Sequence, residues 1–424
     1  MKEFRQKTYN LLRKSEKYFK TDMVYFSKGG FWLMSQFALS STAGLLLFIF
    51  LAHILDATTF GTYRYIISFV AILGAFSLTW MTASVTEAVA RGYERTLFRS
   101  VSLQIKWGML AIFASIIVFI YYLSNENSTL GLAVLVGTIG AVMGAVFNTF
   151  TTLYNGRRDF RGLFITTGSL TIVQYGALAL AALFTHNLIL LIATFFLSGM
   201  LMNILLYVIT VHRLKPKGDV DENSLEFGKK MSFLNIISLT ANNIDNIIVF
   251  HFLGAANLAI YATALVIPEK LRGISKLAMP LMLPKLTLKE NEESAHAALR
   301  PKLRIALLMI AVLVILYIIA APTLFEIIFP KYTDAVLYSQ IFAISIFAGI
   351  AIGPVTVFVA QKSLKNMQSY SIVVPIVQTF LVLVGTILFG LLGAVISRTV
   401  ALLFGSAYSY HLSKLGQSKN SEPR

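Results

Sequence analysis

The sequence predicts an all-α polytopic membrane protein, with about twelve transmembrane helices in two six-helix bundles related by a parallel pseudo-twofold repeat. Three observations carry this expectation: composition, the length of the apolar runs, and the confinement of basic residues to alternate connections. Of the 424 residues, 56% are hydrophobic and 13% charged, and the mean hydropathy is +0.72. Soluble chains carry about a quarter charged residues, so most of this chain is solvated by lipid. Runs such as 43–51, 109–123, 188–197 and 305–321 are too extended for core strands.

A helix needs about 20 residues to cross roughly 30 Å of hydrocarbon. Segments meeting that length fall at 29–54, 61–87, 103–123, 130–154, 163–184, 187–211, 231–253, 257–284, 304–320, 335–359, 368–388 and 390–412. The second and eighth carry internal charges. The chain divides accordingly into a basic segment at 1–28, an N-terminal bundle at 29–211, a linker at 212–230, a C-terminal bundle at 231–412 and a tail at 413–424. The first 28 residues hold eight Lys or Arg and lack the pattern of a secretory signal, which reads as a cytoplasmic, membrane-skimming segment.

Charge fixes the orientation, because Lys and Arg are retained on the cytoplasmic side. The N-terminal segment, the even-numbered connections and the tail together hold 30 of the 36 basic residues. Among them are Arg91, Arg95, Arg99 and Lys106 after the second span, and Arg157, Arg158 and Arg161 after the fourth. The odd-numbered connections are short and carry Lys331. Both termini are thus expected in the cytoplasm. The formal net charge of +16 is read as topogenic rather than as a nucleic-acid footprint. The chain has no cysteine, and its six histidines are scattered without metal-binding spacing, so neither a thiol nucleophile nor a metal site is expected.

Residues His53, Leu55, Ala57 and Tyr63 recur as His251, Leu253, Ala255 and Tyr261, each displaced by 198 positions, with Phe60 matched by Leu258. Both stretches join the first span of a half to its second. An even number of spans per half makes the repeats parallel, and two such bundles enclose a cavity that rocking exposes to either side in turn. Gly140 with Gly144 and Gly349 with Gly353 have the small-xxx-small spacing of close helix packing. Pro268, Pro354 and Pro375 are candidate kinks inside spans.

Charges within spans are costly toward lipid and mark cavities or buried partners. The cations are Arg64, Lys270, Arg272, Lys276 and Arg398, read as candidate substrate-binding groups, and the acids are Asp245 and Glu269. On the seventh span Asn235, Ser238, Asn242, Asp245 and Asn246 recur at three- and four-residue intervals and share one face. On the eighth, Glu269, Arg272 and Lys276 share a face with Tyr261 and Leu265. Arginine forks and lysine ammonium groups suit an anionic headgroup. The plainer readings are that Glu269 and Arg272 neutralise each other, and that Arg64 and Lys276 snorkel to an interface.

The first outer turn, Phe50-Leu51-Ala52-His53-Ile54-Leu55 followed by Phe60-Gly61-Thr62-Tyr63, resembles the polysaccharide transporter family of flippases. So do its counterpart, Asn242-Asn243-Ile244-Asp245-Asn246 with Leu253-Gly254 and Ile260-Tyr261, and the outer-loop run Phe329-Pro330-Lys331-Tyr332. This is the Wzx-like branch of the multidrug/oligosaccharidyl-lipid/polysaccharide (MOP) exporter superfamily, whose fold is shared with MATE transporters. The resemblance implies a multi-pass protein of the prokaryotic cytoplasmic membrane that turns polyprenyl-diphosphate-linked oligosaccharide to the outer leaflet. It implies membrane lipid and polysaccharide assembly proteins as partners, and a cavity lined by the first, second, seventh and eighth spans. No cofactor is implied; for the ion gradient associated with the family, Asp245 or Glu269 is the candidate carrier, and the sequence leaves proton, sodium and neither open. A multidrug exporter of the same superfamily is the alternative, although bases outnumber acids in these spans. A lipid II flippase usually has two further spans. A membrane glycan polymerase or ligase needs a sizeable outer loop or paired outward carboxylates, whereas Asp56, Glu126 and Asp334 stand apart, so no enzyme is expected.

Overall fold

The computed structural model describes residues 23–277, 292–360 and 363–420, and every element among them is helical. Helix α1 (Met23–Ile54) leads through a two-residue turn to α2 (Ala57–Gly74). A 3-10 turn (Ala75–Ser77) then separates α2 from the short α3 (Met81–Ala90). Next come α4 (Thr96–Ser124), α5 (Ser128–Phe147), a 3-10 turn (Asn148–Phe150) and α6 (Thr151–Gly156). Helices α7 (Phe160–Phe184) and α8 (Leu188–Leu214) complete the first half. The second half begins with α9 (Glu222–Leu253) and α10 (Ala255–Gly273), the latter followed by a 3-10 turn (Ile274–Leu277). It continues with α11 (Glu292–Ile328), a 3-10 turn (Pro330–Tyr332) and α12 (Ala335–Ala343). A longer 3-10 stretch (Ile344–Ala351), α13 (Ile352–Ala360) and α14 (Leu364–Asn420) close the chain.

Ten stretches among the described residues are long and apolar enough to cross a membrane. The longest, Lys365–Ser413, folds back at Gly390 and so supplies the eleventh and twelfth crossings. Helix α10 is the remaining one of the twelve expected, and its charged end, with Glu269, Lys270 and Arg272, keeps it off the apolar set. Large apolar side chains on the outside of the bundle, such as Phe184 at 86% exposure and Ile327 at 72%, fit a lipid solvent and not water.

Polar residues at the turns fix the helix starts by accepting otherwise unpaired backbone N–H groups. Asp56 caps α2 through Thr59 N at 3.0 Å, Asp159 caps α7 through Gly162 N at 2.9 Å, and Asp221 caps α9 through Ser224 N at 3.2 Å. Asn127 and Asn187 do the same for α5 and α8. Gly254, at φ +87°, both ends α9 and starts α10, a conformation that any side chain would strain.

Several expected boundaries shift. The second span is not one helix over 61–87, because Leu78 adopts a left-handed conformation (φ 56°, ψ 56°) in the buried interior and splits it. The linker contracts from 212–230 to 215–221, since α8 runs through Leu214 and α9 starts at Glu222 under its Asp221 cap. The ninth span, expected at 304–320, has apolar helix through Ile328. The helix of the tail continues to Asn420, and the far end of the expected eighth span, 278–284, lies outside the described residues, as does 1–22 of the N-terminal segment. Helices α10 and α14 continue through Pro268 and Pro375, and the interruption in α14 falls instead at Gly390 (φ 62°, ψ −141°).

The repeat extends well past the turns that join the first two helices of each half. Helix α1 ends at 54 and α9 at 253, α2 begins at 57 and α10 at 255, and the 3-10 turns that end α2 and α10 begin at 75 and 274. The offset therefore stays at 198 or 199 residues over the whole second span. Within the first half, Gly140 lets α5 approach Phe196 of α8 closely, the packing its spacing predicts. The halves meet chiefly where α2 and α3 pack on α9 and α10. At the end away from the basic connections Gly61 lies against the Ala255 carbonyl, closer than any Cβ would allow.

Candidate functional site

Helices α1, α2, α9, α10 and α14 surround a cavity of about 540 Å3. Its wall includes Arg64 of α2, Asn242 and Asp245 of α9, Glu269, Lys270 and Arg272 of α10, and Arg398 of α14. Phe37, Ser41, Gly44 and Phe48 of α1 form the facing side. Four cations thus face two carboxylates, a formal excess of two positive charges in a site walled by apolar helix.

The acids converge on one cation. Arg398 donates through Nη1 to Asp245 Oδ2 and through Nη2 to Glu269 Oε1 at 2.8 Å. The Tyr261 hydroxyl donates to the same Asp245 oxygen at 2.8 Å. Asp245 and Arg398 are nearly sealed, with side chains 1% and 7% exposed, whereas Glu269 keeps 37% of its surface toward the cavity. Ion pairs survive burial only with close geometry and further hydrogen bonds, and Tyr261 supplies one of these. The Arg398 guanidinium also lies 6.0 Å from the centre of the Phe342 ring. Glu269 is therefore paired directly with a helix from elsewhere in the half, while Arg272 on its own helix acts on it by charge from farther away.

The other cations are differently placed. The Arg64 guanidinium sits 5.4 Å from the centre of the Phe48 ring, and its buried Nε makes no hydrogen bond within the protein. Nη1 of Arg272 is likewise buried without a partner. Lys270 Nζ reaches Ser41 Oγ of α1 at 3.4 Å, which bridges the halves across the cavity. Lys276 lies on the 3-10 turn after α10, and its side chain is outside the described residues.

The polar face of α9 splits between the cavity and the other half. Asn242 lines the cavity. Asn246 also reaches it, but its amide donates to Ser68 Oγ of α2 at 2.7 Å. Asn235, a turn and more away, donates to Thr79 Oγ1 at 3.0 Å in the break between α2 and α3. Of the residues singled out in the sequence, Arg64, Asn242, Asp245, Asn246, Glu269, Lys270, Arg272 and Arg398 meet at one cavity, and Asn235 does not. Other contributors, Ser41 of α1 among them, are not singled out by the sequence. Tyr261 was visible as a repeat residue on the face of Glu269, and Phe48 gave no signal among the many apolar residues of α1.

An aromatic seal covers the cavity on the side away from the basic connections. Phe48 meets Phe60 at 5.1 Å and Phe329 at 6.0 Å between ring centres, and Phe60 meets Tyr332 at 6.1 Å. Over it, Lys331 Nζ donates to the carbonyls of His53 at 2.5 Å and Leu55 at 3.5 Å, at the exposed C-terminal end of α1. On the basic side, Glu94 binds Arg157 at 2.6 and 2.7 Å and accepts from Lys217 N at 2.8 Å, while Arg91 binds Asp221 at 2.6 Å.

A twelve-crossing helical bundle with a duplicated half and a charged cavity between the halves defines a membrane protein of the MOP exporter fold. The solved structures agree. A lipid II flippase MurJ in an inward closed conformation superposes with a TM-score of 0.72 at 14% identity, over 91% of this chain and 87% of that one. An outward-facing MATE multidrug resistance transporter gives 0.64 at 13% identity, over 94% and 97%. An inward-facing one gives 0.62 at 13% identity, over 92% and 99%. No curated protein sequence matches. The profile of the family described as "Polysaccharide biosynthesis protein" matches residues 50–337, and the chain belongs to that family. The likeness to polysaccharide transporters read from the outer turns is thereby borne out.

Proposed function

We propose that the protein is a flippase, moving a polyprenyl-diphosphate-linked oligosaccharide from the inner to the outer leaflet of a prokaryotic cytoplasmic membrane by alternating access. On this reading the basic side faces the cytoplasm and both termini lie there, as the retention of Lys and Arg requires. The observation that carries the proposal is the unequal use of the cavity cations. Arg398 is held by both carboxylates, with its buried Nε alone unaccepted, whereas Arg64 and Arg272, from opposite halves, form no ion pair among the described residues and each keeps a buried donor that no protein group accepts. A diphosphate supplies the two or more negative charges that the excess calls for, while sugars suit Asn242 and the prenyl chain remains in lipid. Family membership and the fold shared with a lipid II flippase support a lipid-linked substrate. The group moves intact, so the residues act by binding and exclusion.

The test is leaflet transfer of a fluorescent polyprenyl-diphosphate oligosaccharide by the purified chain in liposomes. Losing a charge-assisted hydrogen bond costs about 1.5–3 kcal/mol. Arg64→Gln and Arg272→Gln are therefore each expected to weaken half-saturation by about 10- to 100-fold. Transfer unaffected by either substitution, or preferred transport of a cationic drug, would overturn the proposal in favour of an exporter. Running the assay with imposed proton or sodium gradients tests coupling through Asp245 or Glu269. An Asp245→Asn variant that still responds to a gradient removes Asp245 from that role.

A further inference from the structure

We propose that the basic end of α4 holds one anionic phospholipid of the surrounding bilayer, at a site separate from the transport cavity and independent of what that cavity carries. Arg95, Arg99, Ser102 and Lys106 follow one another at three- and four-residue steps, so they share one face of the helix, and all four are exposed. The first three, with Phe98, Asp219 and Val220, line an open cleft of about 440 Å3 between α4 and the connection that leads to α9.

The same face continues along the helix as Met109, Phe113, Ile117 and Ile120, which are 59%, 63%, 54% and 55% exposed. A single stripe is thus cationic at one end and bare apolar surface along the rest. Counting back about 20 residues from the helix end at Ser124 puts the hydrocarbon boundary close to Lys106. Arg99 then stands about 10 Å further out and Arg95 about 16 Å, so the phosphate layer falls between Lys106 and the two arginines. Lys106 is placed to snorkel up and the arginines to reach down onto one phosphodiester.

A soluble anion would use the cationic end and leave the apolar stripe without a role, whereas a phospholipid engages both. Asp219 at the cleft edge and Glu222, 3.8 Å from Arg99, oppose binding, but both partners of that ion pair are well exposed and such pairs are weak. Retention of basic residues for topology explains their side of the membrane. It does not explain their alignment over the apolar stripe.

The experiment is native mass spectrometry of the full chain, released from mixed micelles containing equal phosphatidylglycerol and phosphatidylcholine. Wild type is expected to retain one phosphatidylglycerol in preference to phosphatidylcholine. Arg95→Gln with Arg99→Gln is expected to reduce that retention by about fivefold per charge removed. A control pair, Arg161→Gln with Arg213→Gln, removes equal charge from the same side and is expected to leave retention unchanged. Where the double variant fails to fold, Arg99→Gln alone is read against the same control. Equal retention of the two lipids by wild type, an equal fall in the control, or complete displacement by inorganic phosphate at millimolar concentration would each overturn the proposal.

Discussion

At the scale of single residues, the basic side chains sort themselves. Outside the N-terminal segment, the alternate connections and the tail, six remain: Arg64, Lys270, Arg272, Lys276, Lys331 and Arg398. Lys331 fastens the aromatic seal, and three of the others stand in the cavity wall with Arg398. Arg398 differs from its neighbours because removing it leaves Asp245 buried, charged and unpaired. Breaking such a pair costs about 3–5 kcal/mol, so Arg398→Gln is expected to lower thermal stability sharply, and adding Asp245→Asn to restore most of the loss. Equal melting temperatures for Arg398→Gln and wild type would show that the ion pair does not stabilise the fold. The charges themselves were legible in the sequence, since each interrupts an apolar run. Their pairing was not, because helical periodicity relates neighbours three and four positions apart, whereas Arg398 and Asp245 are 153 positions apart.

At the scale of elements, the start of α2 and Lys331 meet at the end of the molecule away from the basic connections. A Cβ on residue 61 would fall 1.8 Å from the Ala255 carbonyl oxygen, and backbone cannot yield as a flexible side chain can. Gly61→Val is therefore expected to hold the starts of α2 and α10 apart and to stop transport without preventing insertion. The natural chain has no cysteine, so His53→Cys with Lys331→Cys gives a clean reporter. The pair is expected to crosslink readily in the wild-type background and several-fold less with Gly61→Val; equal crosslinking in both would mean that this contact does not set the closure. The helices were legible as elements because their lengths match a bilayer and their caps are Asp or Asn at the turns. The interruption at Leu78 was not, because the surrounding Phe76-Ser77-Leu78-Thr79-Trp80 contains neither glycine nor proline to signal it. Tertiary contacts impose it instead, with Leu78 packed among Met81, Val85 and Leu225.

At the scale of the whole molecule, the 215–221 connection is tied down by acids on the basic side. Burial alone would raise the Glu94 carboxyl, but the Arg157 guanidinium and the Lys217 backbone N–H outweigh it and hold it below its ordinary value. Burial of Asp221 is likewise outweighed by hydrogen bonds from Ser224 and by the charge of Arg91. Groups depressed in the folded state stabilise it fully above the ordinary carboxylate range, and that contribution is lost as pH falls through their lowered values. Cleavage of the connection by an acid-active protease is accordingly expected to stay low from neutral pH to about 5 and to rise below about 4. A flat profile would show that these contacts do not hold it. The duplicated plan of the molecule was legible from four repeated residues at one turn, and the structure carries the same offset through the whole second helix of each half. One contact has a consequence for biogenesis. The Trp80 backbone N–H, freed by the bend at Leu78, finds its acceptor in Ser232 Oγ at 3.2 Å, on a helix translated 152 residues later. When that segment first leaves the ribosome this acceptor has not yet been synthesised, and Trp80 lies just past the membrane-length stretch Ala57–Ser77, where water can take its place. The later half thus replaces water at this amide, and the contact is acquired only once both halves are made.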